Sequence, residues 1–305
     1  MPLQFISVVT NFDFVKQRYW AFSLIALLFI GTLASLAIQG LNYGIDFKGG
    51  IVIEARSAQA PLDIGAIRQQ MEQLNLGDIE IQEFGSSKDT VLIRIQRQDG
   101  DDTVQQQVAT NVRATLGDAY EIRRTEVVGP RVGEELLHAG LMATLFAIVA
   151  IAAYVAFRFE WQFGVAALIG TLHDVVVTLG MFSLFQLDFN LTAIAALLTL
   201  AGYSINDTVV VFDRIRENLR RQKTGDLKRV INDAVNQTLS RTLMTAGITF
   251  LSLIPLVLFG GPTLLNFSLA LTWGVLLGTF SSIYVAASLL LYMKPLRLLS
   301  PVATH

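Results

Sequence analysis

Six long stretches of apolar residues constrain this chain more than any other feature of its sequence. They cover residues 19–38, 136–157, 163–185, 191–212, 241–260 and 267–293. A helix needs about 20 mostly apolar residues to cross the hydrocarbon core of a bilayer. These stretches also explain why only 16% of the residues are charged, against about 25% in an ordinary soluble domain. The sequence therefore predicts an α-helical membrane protein with six transmembrane helices, the first of them retained as an anchor because it is longer than the apolar region of a signal peptide.

The Lys and Arg residues of the short connections predict the orientation of these helices, because positive residues concentrate in cytoplasmic loops. Such residues occur in the tails 1–18 and 294–305 and in the connection 213–240, whereas the turns 186–190 and 260–266 have none. We therefore expect both termini in the cytoplasm. The long segment 39–135 is then a periplasmic domain, outside the inner membrane.

The connection 213–240 is basic at its start and amphipathic towards its end. One face of the predicted helix carries Leu227, Val230, Ile231, Ala234 and Val235. This pattern suits a helix that lies on the inner membrane surface and is attracted by anionic lipid. It suits a docking surface for a partner protein equally well.

The segment 39–135 has the pattern of a small α+β domain. Alternation of apolar and polar residues predicts strands at 51–56, 79–84, 90–96 and 120–128, and helical spacing predicts helices at 62–76 and 103–116. The order β-α-β-β-α-β is that of the ferredoxin-like fold, and a small domain with other strand pairing is the alternative. The segment shows no catalytic constellation, so we expect a binding or mechanical module and no enzyme.

The residue content disfavours several classes of site. The chain has no cysteine, which excludes disulfides and thiolate metal sites. Its three histidines, His138, His173 and His305, are far apart and lack metal-ligand spacing. The net charge of −2 gives no reason to expect a nucleic-acid partner. We therefore predict no metal and no bound cofactor.

Ionisable residues within the predicted spans are the candidate functional residues, because a charge inside a bilayer is costly and usually functional. Asp207 lies in the fourth span, and Arg241 opens the fifth, with Thr245 on the same polar stripe. The two helices are antiparallel, so the carboxyl and guanidinium groups are expected at similar depth. A nearby arginine favours the charged carboxylate, and its withdrawal favours proton uptake. The alternatives are a polar group near the interface for Asp207 and a lipid-phosphate contact for Arg241.

Asp174 is the carboxylate nearest the middle of a predicted span, and it follows His173 directly. Neighbouring side chains on a helix point about 100° apart, so these two need not bond each other. A role in proton transport and a structural hydrogen bond to another helix are both open for Asp174.

Five motifs resemble those of the SecF family of protein-export membrane proteins, and they occur in the same order. They are GIDFKGG (44–50), VGPRVGEEL (128–136), LHD (172–174), GYSINDTVVVFDRIREN (202–218) and SRTLMT (240–245). The resemblance implies half of an RND-superfamily membrane domain, with one outer domain between the first two helices. It also implies a partnership with SecD, the SecYEG translocon and, optionally, YajC. Such a complex would use the proton-motive force to promote preprotein translocation.

The resemblance implies roles for particular residues as well. Asp207 and Arg241 match family residues implicated in proton transport, while Asn206 and Asp213 belong to the same motif with weaker implied roles. We add Asp174 as a third proton-transport candidate and Thr245 as a supporting polar residue, with the proton as coupling ion. Two other functions stay open: a small-molecule exporter of the RND type, and a passive scaffold in which the buried charges are structural.

Overall fold

The computed structural model of the chain describes residues 10–57, 62–77, 79–84, 89–221 and 226–293. Its elements, in chain order, are α1 (Phe14–Ile38), α2 (Ile45–Lys48), β1 (Gly50–Ser57), α3 (Ile64–Glu72), β2 (Ile79–Phe84), β3 (Thr90–Gln96), α4 (Asp102–Leu116), β4 (Tyr120–Val128), α5 (Pro130–Arg158), α6 (Trp161–Leu184), α7 (Leu191–Arg221), α8 (Leu227–Phe259) and α9 (Gly261–Ser281). The last helix continues through a π-helical turn, Ser282–Ala286, to a final short turn that ends at Tyr292.

In the described part of the chain, six helices are long and apolar enough to cross a membrane: α1, α5, α6, α7, α8 and the helix that includes α9. This confirms the predicted class of fold. The helices α6 and α9 are the most buried, whereas α1, α5 and α8 expose most of their apolar windows. The bundle therefore has α6, α7 and α9 at its centre, and its outer helices present apolar surfaces suited to lipid or to other membrane helices.

Three of the spanning helices begin at capping or proline residues that lie outside the apolar stretches. The Asn190 side chain accepts a hydrogen bond from the Ala193 amide at the start of α7, and Asp226 accepts from the Lys228 amide at the start of α8. Pro130 stands at the first position of α5, where its missing N–H is tolerated. The spanning helices are consequently longer than the apolar windows that predicted them.

The connection 213–240 differs from the surface helix or docking face that its pattern indicated. Its two halves are the ends of α7 and α8, which continue as helices past the apolar windows. The apolar face, including Val230 and Ile231, is buried against Ile215 and Leu219 of α7 and against Phe14 of α1. The amphipathic pattern was real, but its apolar face packs inside the protein because two adjacent helix ends can bury it against each other.

The outer domain is a four-stranded antiparallel sheet in the order β2-β3-β1-β4. This is the strand order of the split βαβ arrangement that the sequence predicts. One face of the sheet packs on α3 and α4 and buries Ile51, Ile53, Ile93 and Ile95. The opposite face carries residues such as Glu54 and Arg94, and it borders a cleft next to the membrane helices.

Glycines in two of the sequence motifs permit close backbone approach. Gly50 has φ of +140°, and a Cβ there would lie 2.7 Å from the carbonyl oxygen of Ile95 on β3. Gly133, near the start of α5, would place a Cβ 2.5 Å from the carbonyl oxygen of Phe47 on α2. These contacts fix the entry and exit of the outer domain against each other, which explains the glycines physically.

Candidate functional site

Asp207 lies on the buried face of α7. Buried residues recur every three or four positions along this helix, at Ser204, Asp207, Thr208 and Val211, as a helix packed on one side requires. The carboxyl oxygen Oδ2 of Asp207 is buried and has no hydrogen-bond partner among the described residues. An unpaired carboxylate in such a place is costly, so this group is suited to gaining and losing a proton.

Arg241 and Thr245 of α8 are the charged and polar side chains that act on the Asp207 carboxyl. Arg241 does not form an ion pair with it, since no nitrogen of Arg241 lies within 4.0 Å of a carboxyl oxygen of Asp207 in the part of the chain described. The Arg241 side chain is exposed. The Thr245 hydroxyl donates to the backbone oxygens of Arg241 and Thr242. The structure thus brings the three predicted residues together without closing the predicted contact.

Arg241 also sits differently along its helix than the sequence indicated. We expected it to open the fifth helix, but it lies well inside α8, which begins at Leu227. The reason is that the polar and basic residues before it continue the helix, so its first apolar residue does not mark its start.

The two other candidate residues of the long α7 motif, Asn206 and Asp213, lie away from the buried face that carries Asp207. Asn206 is exposed and lines a groove between α5 and α7. Asp213 is exposed as well, and its carboxyl oxygen lies 4.0 Å from a guanidinium nitrogen of Arg158. Neither contacts Asp207 directly, which is expected because residues adjacent or six apart point to different sides of a helix.

Asp174 occupies a second, fully buried site where α6, α7 and α9 meet. Its Oδ2 accepts hydrogen bonds from the hydroxyls of Ser204 at 2.6 Å and Ser281 at 2.7 Å. Its Oδ1 lies 3.1 Å from Nδ1 of His173, so the two adjacent side chains do meet. Every polar contact that this carboxyl needs is present, and it joins three helices at one point.

A second pair of hydroxyls extends this polar cluster. Thr208 and Ser282 are hydrogen-bonded at 2.8 Å, and the Ser282 hydroxyl also lies 3.3 Å from the backbone oxygen of Ser204. Ser282 begins the π-helical turn that follows α9, a feature often found at functional sites. The sequence reading missed Ser204, Ser281, Ser282 and Thr208. The adjacent serines 281 and 282 inside an apolar span were the signal that could have drawn attention to them.

Among the described residues, no group of three or more His, Asp and Glu side chains is arranged to hold a metal ion. What the membrane part offers is two buried carboxyl groups on neighbouring helices, at Asp174 and Asp207. The carboxyl of Asp174 is bonded by two hydroxyls on one oxygen and by His173 on the other, and that of Asp207 has one oxygen without a partner among the described residues. This arrangement suits proton or charge movement coupled to helix packing.

Two family models match separate parts of this chain. The family model described as "Protein export membrane protein SecD/SecF, C-terminal" matches residues 107–295, and the "SecD/SecF GG Motif" matches residues 34–61. The second match contains Gly49, which precedes β1, and Gly50, which is its first residue.

Several curated proteins are similar to this chain over nearly its full length. The "Protein translocase subunit SecF" of Magnetococcus marinus is 46% identical over 96% of this chain and 95% of its own. The protein of the same name from Rickettsia prowazekii is 41% identical over 95% of this chain and 93% of its own. The "Protein translocase subunit SecDF" of Brucella abortus is 39% identical over 96% of this chain, which corresponds to 39% of that longer protein.

Solved structures show the same relationship. The crystal structure of SecDF from Thermus thermophilus, described as a translocon-associated membrane protein, matches with a TM-score of 0.81 and 35% identity. That match covers 94% of this chain and 39% of the solved one. SecDF in a super-membrane-facing form matches with a TM-score of 0.67 and 34% identity, over 95% of this chain and 39% of the solved one.

Proposed function

The chain belongs to the SecD/SecF family of protein-export membrane proteins, and we propose that it is the SecF subunit of a SecDF complex that uses the proton-motive force. It is a multi-pass membrane protein of a protein translocase. In our proposal it lies in the bacterial inner membrane with both termini in the cytoplasm. Its outer domain stands in the periplasm, and the complex helps SecYEG complete preprotein translocation. It is not an enzyme in this proposal, and its coupling ion is the proton.

The observation that carries this proposal is the buried Asp207 carboxyl with its unpartnered Oδ2. A neutral carboxylic acid there removes an uncompensated charge, while the charged form draws on the field of Arg241. Exchange between the two forms changes which packing of α7 against α8 is favoured. Moving one elementary charge through the membrane potential supplies about 2.3 kcal/mol per 100 mV. That energy suits a modest helix displacement repeated over many cycles.

Arg241 has the complementary role in this proposal. It is exposed on α8 while still acting on Asp207, so a small rotation or slide of α8 alters the distance between the two charges. Thr245, one turn further along α8, offers a hydroxyl that can turn from its own backbone towards the carboxyl. Arg241 therefore regulates the charge state of Asp207, and Thr245 supports the proton path.

The proposed contact with SecD lies on the face formed by α5, α7 and α8. Gly202 on α7 and Gly247 on α8 have open space where a Cβ would stand, and Asn206 is exposed between them and α5. Small residues let membrane helices approach closely, and polar ones bond across the interface. The chain corresponds to 39% of the SecDF proteins it resembles, and we propose that a separate SecD chain supplies the remaining part.

The test is export in cells that carry Asp207→Asn as their only copy of the chain. We expect secretion of a reporter preprotein to fall, and the flow of protons through the complex out of the lumen of energised inverted vesicles to be lost, while protein level and co-purification with SecD stay normal. The matched control is Asp233→Asn, a half-exposed carboxylate on α8 that lies 4.0 Å from Arg229; it should export normally. Normal export with Asp207→Asn would contradict the proton role and favour a passive scaffold.

A further inference from the structure

The turn between α6 and α7, residues 185–190, is tied to the segment that leads from α1 into the outer domain. The Phe189 amide donates to the backbone oxygen of Asn42, and the Gly44 amide donates to the backbone oxygen of Phe189, both at 2.8 Å. This is a short parallel bridge between the two segments. The outer end of α7 and the root of the outer domain therefore share backbone hydrogen bonds.

Side chains strengthen this junction on both sides of the bridge. Asp46 of α2 accepts a 2.8 Å hydrogen bond from the amide of Leu191, the first residue of α7. The ring of Phe189 packs on those of Phe47 and Phe182, with centroids 5.8 and 5.6 Å away. A carboxylate at a helix N-terminus also interacts favourably with the helix dipole. Displacement of the outer end of α7 would thus carry α2 with it.

Asp188 extends the junction to the sheet itself. Its carboxylate pairs with the guanidinium of Arg94 on β3, and both side chains are about four-fifths buried. Asn42 donates to the other carboxyl oxygen at 3.1 Å, and Asn266 of α9 donates to the Asp188 backbone oxygen at 3.2 Å. One turn residue thus connects the outer sheet, the α1 linker and the last helix.

The Arg94–Asp188 pair crosses a cleft. A cavity of about 700 Å³ lies between the open face of the sheet and the outer ends of the helices, and both residues line it. Across this cleft the sheet meets the helix ends through polar contacts such as the Arg94–Asp188 pair, while the apolar packing of the junction is at Phe47 of α2. Polar contacts across such a gap can break and re-form without exposing a large apolar surface.

The environment of Asp188 also disfavours a permanent ion pair. Burial raises the pKa of Asp188 above its ordinary value, even though the Arg94 guanidinium opposes the shift; Glu80 adds to it, and Lys48 counters it weakly. A buried pair of this kind is worth less than its geometry suggests because both charges lose water. The two SecDF structures differ in shape, because they match this chain at nearly equal identity but with TM-scores of 0.81 and 0.67.

We propose that Arg94 and Asp188 form a releasable strap that positions the outer domain on the outer end of α7. While it is closed, the strap transmits displacement of α7 to the sheet. It must open for the outer domain to move away from the helix ends during translocation. This inference rests on the proposed function, because it assigns the step that follows the charge change at Asp207. The two residues are positioning residues: they do not carry protons in this scheme.

The test locks the strap reversibly. The chain contains no cysteine, so Arg94→Cys and Asp188→Cys together introduce a single pair that can be joined by oxidation or by a short cleavable bismaleimide. The unjoined double-cysteine variant lacks the ion pair and is the reference. We expect joining to abolish the export that this variant retains and cleavage of the link to return export to the unjoined level, with assembly of the SecD complex unchanged. The matched control pair is Arg56→Cys with Asp89→Cys, which replaces a 2.7 Å Arg–Asp ion pair inside the outer domain and should export normally when joined.

A charge exchange separates positioning from folding. Arg94→Asp and Asp188→Arg should each impair export, and the double exchange should restore most of it, because the strap needs opposite charges and not a particular direction. Restoration is incomplete because Arg94 also pairs with Glu80 at 3.3 Å, a contact that the exchange turns repulsive. Normal export by the joined pair, or no joining by either reagent, would overturn the strap. Either result leaves the proton role of Asp207 to be decided by Asp207→Asn, so the two proposals fail separately.

Discussion

Two buried carboxyl groups stand on neighbouring helices of the same bundle, and their surroundings differ in one decisive respect. Asp174 is fully buried and receives two hydroxyl hydrogen bonds on one oxygen and His173 on the other. Asp207 is also buried, yet one of its oxygens has no partner among the described residues. Both oxygens of the Asp174 carboxyl have partners and connect three helices, although the Nε2 atom of His173 beside it has none among the described residues, whereas the Asp207 carboxyl is itself left incomplete.

This difference indicates which carboxyl stabilises the packing of the helices and which one can gain and lose a proton. A buried polar group that has all its partners stabilises one packing and loses much if a partner is removed. A buried carboxyl with one oxygen left without a partner carries an unfavourable interaction that protonation or movement can relieve. On this argument we propose Asp207 as the first residue to test for proton transport and a structural role for Asp174, whose part in proton transport stays a prediction. The sequence alone left this question open for Asp174.

The largest expected effect on folding comes from Asp174→Ala. This change leaves the buried Ser204 hydroxyl without its acceptor and leaves Ser281 only a 3.2 Å hydrogen bond to the backbone oxygen of Gly278. We expect the free energy of unfolding to fall by roughly 2 to 4 kcal/mol, because a cavity adds to the lost hydrogen bonds. Thermal or denaturant unfolding in detergent measures it. The control Asp233→Ala removes a half-exposed carboxylate and should change the free energy by less than about 0.5 kcal/mol. Equal losses in the two variants would contradict a structural role for the Asp174 carboxyl.

The next effect comes from the two serines that donate to Asp174. Ser204→Ala and Ser281→Ala should each lower the free energy of unfolding by about 1 kcal/mol. Because both hydroxyls bond the same oxygen, the double variant should depart from the sum of the single ones. A double-mutant cycle in detergent measures the coupling, and strict additivity would mean that the two hydroxyls act independently.

A matched pair of threonines sharpens the comparison further. Thr208 and Thr242 are both buried, but the Thr208 hydroxyl bonds Ser282, whereas that of Thr242 has no partner in the described structure. We expect Thr208→Val to lower the free energy of unfolding by about 1 kcal/mol and Thr242→Val to lower it not at all. Similar losses for both would show that hydrogen bonding is not what distinguishes the two sites.

The smallest expected effect on folding belongs to Asp207→Asn, the variant with the largest expected effect on export. A neutral amide replaces a buried carboxylate that, among the described residues, has one oxygen without a partner and no ion pair within 4.0 Å, so we expect the free energy of unfolding not to fall. Its unfolding curve, measured beside that of Asp174→Ala, separates a working residue from a structural one. A loss as large as that of Asp174→Ala would place Asp207 among the structural residues.

Some parts of the candidate site could be predicted from sequence because they depend on residue type and local position. Asp207 stands out as an acidic residue in an apolar stretch, and its helical spacing places it on a different face from Asn206. The partners of Asp174 could not be predicted this way. Ser204 and Ser281 are 77 positions apart along the chain, and only the relative rotation of α7 and α9 brings their hydroxyls to one oxygen.

The sequence by itself determined the six apolar helices and the β-α-β-β-α-β order of the outer domain, because helix and strand periodicity are local properties. Only the tertiary structure decided that α7 and α8 extend past the apolar windows and bury the amphipathic face between them. It alone brought Arg94 to Asp188 across the outer cleft and left Asp207 without an ion pair. These outcomes depend on how distant elements pack, and packing is set by contacts that no single stretch of sequence contains.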